Sequence, residues 1–160
     1  MENLDDLDLK IISILREDSR IKFTEIAKIL NVPDTTVHFR IKKLKGTNTI
    51  KNFTILIEPD RFGYNLGALL KIKIGEHIIK EISIKRTKEI GAEFAKRKNY
   101  GFLATAEDGT VLYIIIFIKD EDELDEIASE IRREPDVIDL EIIRFTDVIK
   151  GSEMLSINLP

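Results

Sequence analysis

The 160 residues predict an α+β chain in two domains, and three observations carry that expectation. Through residues 4–45 the apolar positions recur three and four apart, as on helices, whereas from residue 66 onward β-prone runs alternate with helical patterns. Charge changes at the same place. The first sixty residues hold ten Lys+Arg and ten Asp+Glu, so the remainder holds fifteen and nineteen and carries the whole net charge of −4. Between the two parts lies Glu58-Pro59-Asp60-Arg61-Phe62-Gly63, whose Pro, charges and Gly suit a linker. The expected division is residues 1–60 and residues 61–160.

In the first part, Leu4, Leu7, Ile11 and Ile14/Leu15 share one helical face, and Asp5 is placed to cap that helix with Asp8 three residues on. A second short helix is expected from near Thr24 through Leu30, broken by Asn31-Val32-Pro33. A third is expected from about Asp34 to Lys45, with Val37, Ile41 and Leu44 as its inward stripe. Its end is loose, and Asn48 there can accept a left-handed conformation. Ile50 and Phe53 to Ile57 are β-prone, the makings of a short wing and a connecting strand. Three short helices followed by such a strand describe a winged helix-turn-helix.

In the second part, Leu66–Ile74 reads as a strand and Ile78 to Lys98 mainly as a helix, with Ile82, Ile90, Phe94 and Ala95 as core candidates. Tyr100–Ala106 is a second strand, followed by a turn with an Asp-Gly hairpin signal at Asp108-Gly109. Val111–Ile118 is a third, so continuously apolar that burial on both faces is expected. A helix from Asp120 to Arg133 would turn Leu124, Ile127, Ala128 and Ile131 inward, and Val137 to Phe145 gives the last strand. The order βαββαβ predicts a ferredoxin-like split fold, four antiparallel strands with two helices on one face. Its other face needs a cover, and oligomerisation through the sheet is the simplest one.

Composition narrows the chemistry. With no Cys, disulfides and thiolate–metal sites are excluded, and two His at positions 38 and 77 argue against a His-based metal site. His77 is expected to be structural. The run Asp120 to Glu123 falls in the first turn of a helix and reads as a solvated cap rather than a magnesium site. The longest apolar run, Val111 to Ile118, has eight residues, far short of a membrane span. The acidic opening, where a secretory leader would be basic, leads to the expectation of a cytoplasmic protein. No set of Ser, His and Asp, no phosphate-cradling glycine loop and no isolated carboxylate pair stands out.

The third helix is the exception to this blandness. From Pro33 to Phe53, Arg40, Lys42, Lys43, Lys45 and Lys51 face Asp34 alone, a net of +4. Thr35, Thr36, His38 and Phe39 lie early on its outward side, where short side chains can meet base edges in a major groove. Arg40, Lys42, Lys43, Lys45 and Lys51 are the candidates for phosphate. Arg40 lies beside the inward stripe, so bracing the helix is its other reading.

These residues resemble the Lrp/AsnC, or feast/famine, family of transcription regulators. The likeness is carried by Leu4-Asp5, Asp8, Ile11-Ile12, Arg20-Ile21 and Thr24-Glu25-Ile26-Ala27. It continues through Val37, Arg40-Ile41, Leu44, Ile50 and Phe53, then Glu58-Pro59, Gly63 and Thr146 to Lys150. The resemblance implies a cytoplasmic regulator binding pseudo-palindromic double-stranded DNA as a homodimer that assembles to tetramers or octamers. It also implies a second domain of the RAM type, serving assembly and binding an amino-acid effector, with no other cofactor and no membrane. The residues of the effector cleft would be Thr105, Ala106, Glu107, Asp108 and Gly109. Two positions depart from the family pattern. Pro33-Asp34 stands where Ser-Pro usually opens the recognition helix, which leaves Asp34 or Thr35 as its cap, and Ala106 stands where the cleft loop usually has Gly. Two other readings fit the two-domain layout: an enzyme like the siroheme decarboxylases, and a ligand-sensing assembly module that does not bind DNA.

Overall fold

The computed structural model describes residues 4–75 and 79–151; His77 and the Glu107 side chain lie outside the described residues. The chain forms two compact units, Met1–Ile55 and Leu56–Pro160. The stretch expected as a linker belongs to the second unit. Pro59–Phe62 is one 3₁₀ turn with Pro59 buried, closed by Gly63 at φ 80°, a left-handed conformation open to glycine.

The first unit consists of α1 (Asp6–Glu17), α2 (Phe23–Leu30) and α3 (Asp34–Gly46). Asp5 caps α1, accepting from the Asp8 N–H at 2.9 Å while the Asp8 carboxylate accepts from the Asp5 N–H. α2 ends at Asn31, φ 52°, where the Val32 N–H reaches back to the Ala27 carbonyl at 3.0 Å and turns the chain into α3. Ile11, Leu15, Ile26, Ala27, Val37 and Ile41 form the core between the three helices. Each fully buried Ile or Leu there contributes about 1.5–3 kcal/mol relative to exposure. Asn48, at φ 56°, takes the left-handed turn after α3.

Two expectations in this unit are corrected. The cap position of α3 is Pro33 with no side-chain cap; Asp34 is the first helical residue, and its carboxylate accepts the Thr35 N–H at 2.7 Å. Within the single chain, residues 51–58 carry no strand where a wing and connecting strand are expected. β-Propensity is not enough without a neighbour to hydrogen-bond, and Ile55 and Leu56 are 75% and 62% exposed.

The second unit is built from β1 (Leu66–Ile74), α4 (Lys80–Phe94), β2 (Tyr100–Ala106), β3 (Val111–Ile118), α5 (Glu121–Arg132) and β4 (Val137–Arg144). All strand pairs are antiparallel and the sheet order is β2-β3-β1-β4, the ferredoxin-like arrangement. One sheet face presents Leu70, Ile72 and Ile74 beside Leu112, Ile114, Ile116 and Ile118, all fully buried with Ile90, Phe94, Leu124, Ile127 and Ile131 of the two helices. Asp120 caps α5 by accepting from the Glu123 N–H at 2.9 Å, so the acidic run begins as a helix cap. At the β2–β3 turn Asp108 and Gly109 adopt φ 58° and 90°.

Two further expectations are corrected here. Ile82 is 44% exposed and Ala95 is exposed; the inward face of α4 is Ser83, Thr87, Ile90, Gly91 and Phe94. Two hydroxyls hid this stripe, and burying Thr87 is feasible because its Oγ1 donates to the Ser83 carbonyl at 2.8 Å. β3 is fully buried on one face only. On the other face Tyr113 and Ile115 remain half-exposed within the single chain.

The open sheet face is divided along its strands. At one end Lys71 and Lys73 stand opposite Glu141 and Asp139 in register. At the other, Phe102, Ile115, Phe117, Phe145, Val148 and Ile149 line an apolar groove of about 570 Å³. Gly67 lies beneath this end because a Cβ there would come within 2.8 Å of the Phe145 ring.

Candidate nucleic-acid interface

At 3.6 residues per turn, the buried stripe of Val37, Ile41 and Leu44 fixes which side of α3 faces outward. Thr35, Phe39 and Lys42 point away from the core, with Phe39 66% exposed. Thr36 and Lys43 are half-buried on one flank, while His38 and Lys45 are exposed on the other. Lys51 is exposed beyond the helix end. The structure therefore brings Thr35, Phe39 and Lys42 together on one outward surface, with His38 and Lys45 turned toward the start of α2 and toward Phe53.

Arg40 makes its bonds within the unit. Its Nη1 donates to the Asp5 carboxylate and, at 3.1 Å, to Asp8, whose side chain is only 1% exposed. These bonds hold the guanidinium above its ordinary pKa, through Asp5 first and then Asp8. The Asp5 carboxyl is lowered, chiefly by the Asp8 backbone N–H and then by Arg40. These bonds tie α3 to α1 through Arg40.

The flank of α3 holds a feature that sequence reasoning missed. Phe23, His38, Ile41, Lys42, Lys45 and Phe53 line an open groove of about 520 Å³, with Phe39 at its rim. Phe23 meets the His38 ring edge-on at 4.8 Å, and the Lys45 ammonium lies 5.5 Å from the centre of the Phe53 ring. Phe23 precedes the helix expected from Thr24, and Phe53 carries part of the family resemblance within a β-prone run, so neither marks a groove in the sequence. Only folding sets them either side of the basic flank.

In the second unit, the residues expected at an effector cleft occupy the β2–β3 hairpin. Thr105 is exposed and Ala106 half-exposed. Asp108 pairs with Lys80 at 2.8 Å and accepts from the Thr110 hydroxyl at 3.0 Å, which lowers its pKa, the Lys80 bond foremost. Gly109 packs against Ile84 of α4 closely enough that a Cβ would lie 3.2 Å from it. Among the described residues no helix is long and apolar enough to cross a membrane.

Comparison with known proteins agrees with this arrangement. The model of the AsnC-type helix-turn-helix domain matches residues 4–45. The chain is 40% identical over 85 residues to the HTH-type transcriptional regulator FL11 of Pyrococcus furiosus, covering 53% of this chain and 56% of that protein, little more than half its length. An uncharacterized HTH-type transcriptional regulator of the same organism is 40% identical over 106 residues, covering 65% of this chain and 72% of the relative. Among solved structures, a P. furiosus transcriptional regulatory protein of the AsnC family superposes with a TM-score of 0.72 at 25% identity, covering 96% of each chain. A helix-turn-helix followed by a four-stranded antiparallel sheet with helices is thus the shared arrangement, and the chain belongs to the Lrp/AsnC family of helix-turn-helix transcriptional regulators.

Proposed function

We propose that this protein regulates transcription in the cytoplasm by binding pseudo-palindromic double-stranded DNA as a homodimer, and that it performs no chemical step on a substrate. The observation that carries the reading is the outward surface of α3, where Thr35 and Phe39 are free of the core beside the exposed cations Lys42 and Lys45. Thr35, Thr36, His38 and Phe39 read base edges or shape; Lys42, Lys43, Lys45 and Lys51 hold phosphates. Binding to the DNA upstream of the protein's own gene tests this. Lys42→Ala is expected to weaken binding and to lower the salt slope by about one unit.

The homodimer is supported by the apolar end of the open sheet face, where Phe102 and Ile143 are 51% and 44% exposed. Further pairing of dimers to tetramers or octamers is part of the same reading and is tested by sedimentation. An amino-acid effector at Thr105 to Gly109 is part of the same reading; its two charges would have to displace the Lys80–Asp108 ion pair. Calorimetric titration with a panel of amino acids tests it, with Asp108→Ala expected to abolish any heat observed.

A further inference from the structure

We propose that the groove beside α3 is a seat for the DNA backbone, with one phosphodiester held by Lys42 and Lys45 and the adjoining deoxyribose packed against Phe53. The inference rests on the DNA-binding reading and adds to it a residue, Phe53, outside the recognition helix.

The groove's chemistry selects its tenant. Lys42 and Lys45 are three residues apart and so lie on neighbouring positions of one helix side. The Lys45 ammonium lies 5.5 Å from the Phe53 ring centre, which places the cation beside the apolar wall of the groove. No carboxylate lines the groove, which makes it a poor site for an amine or a metal cation. Its floor is Ile41, 3% exposed, and Phe23 and Phe53 are its walls, so a fully hydrated small anion would leave the apolar part unused. A ligand with a compact negative charge beside an apolar edge uses both parts, and a nucleotide unit of a DNA strand has that form. The volume, about 520 Å³, falls in the range of small-ligand sites.

The site also redistributes roles along α3. His38, held edge-on by Phe23 at 4.8 Å, lines the backbone seat beside the base-reading face. Thr35 and Phe39 remain for the major groove. Phe53 lies 41% exposed after the helix end, so the strand is held from both the helix and the segment that follows it.

The experiment measures binding to a labelled duplex carrying the DNA upstream of the protein's own gene, across a salt series. Lys45→Gln is expected to lower the slope of log K against log salt by about one unit. Phe53→Ala is expected to weaken binding about tenfold at fixed salt with the slope unchanged, and Phe53→Tyr to restore it. A melting curve accompanies each variant, and if Phe53→Ala unfolds the unit then Phe53→Leu, which keeps an apolar side chain but lacks the ring, takes its place. Wild-type affinity in a folded Phe53→Ala or Phe53→Leu variant, or a wild-type slope in Lys45→Gln, would overturn the proposal while leaving the DNA reading intact. A wild-type protein with no salt-dependent binding to the duplex would overturn that reading, and this one with it.

Discussion

Arg40 on α3 reaches the carboxylate of Asp8 on α1 at 3.1 Å, and Asp8 is 99% buried by the helices around it. The same Asp8 closes the capping box with Asp5, so one network starts the first helix and sets the orientation of the third. Removing Arg40 would leave Asp8 a buried, unpaired charge. Arg40→Ala is therefore expected to lower the melting temperature and weaken DNA binding while leaving the salt slope unchanged. A slope lowered by about one unit would return Arg40 to the phosphate set.

This pair also predicts a pH dependence. The Asp5 carboxyl is lowered in the folded chain, so its contribution to stability is complete above the ordinary aspartate range and is lost as pH falls through the folded pKa. Asparagine also caps helices, so Asp5→Asn keeps the cap and removes the titration. The variant should melt below the wild type at neutral pH and lose less stability than the wild type between about pH 5 and 3. Melting temperatures at the two pH values check this, and equal losses in both proteins would remove Asp5 as the titrating group.

The strands and helices of the second unit were legible because their signals are local: the Asp-Gly turn, the apolar run of β3 and the stripe Leu124, Ile127, Ala128 and Ile131 each appear in one window of sequence. The inward face of α4 was not, because Ser83 and Thr87 occupy core positions and the Thr87 hydroxyl is satisfied by a bond made only in the helix. Residues 53–57 misled for the opposite reason, since a strand is a property of two segments and propensity describes one. At the candidate site, composition and spacing identified the basic helix. They could not show that Arg40 is bound by two carboxylates 32 and 35 residues earlier, nor that Phe23 and Phe53 flank the groove.

Gly67 tests the packing under the open sheet face. A Cβ there would lie 2.8 Å from the Phe145 ring and 3.1 Å from Phe117, and the Phe145 N–H is anchored to the Gly67 carbonyl at 2.8 Å. Gly67→Ala should cost about 1–3 kcal/mol of stability in urea unfolding. Unchanged stability would mean that Phe145 can swing aside freely.

The apolar end of that face tests the homodimer. Phe102 is 51% exposed in the single chain, so Phe102→Glu places a charge on the proposed contact without disturbing the buried core. Sedimentation should show the wild type as dimers or larger species and the variant shifted toward monomer. An identical distribution for the two would move the contact elsewhere.

The central claim, that α3 reads double-stranded DNA, is tested most directly by protection mapping on the DNA upstream of the protein's own gene. Salt-sensitive protection is expected of two half-sites whose centres lie about 34 Å, or a whole number of helical turns, apart, and that protection should be lost in a Thr35→Ala, Phe39→Ala, Lys42→Ala triple variant that melts like the wild type. Protection by the triple variant equal to that of the wild type, or none by the wild type at low salt, would contradict it.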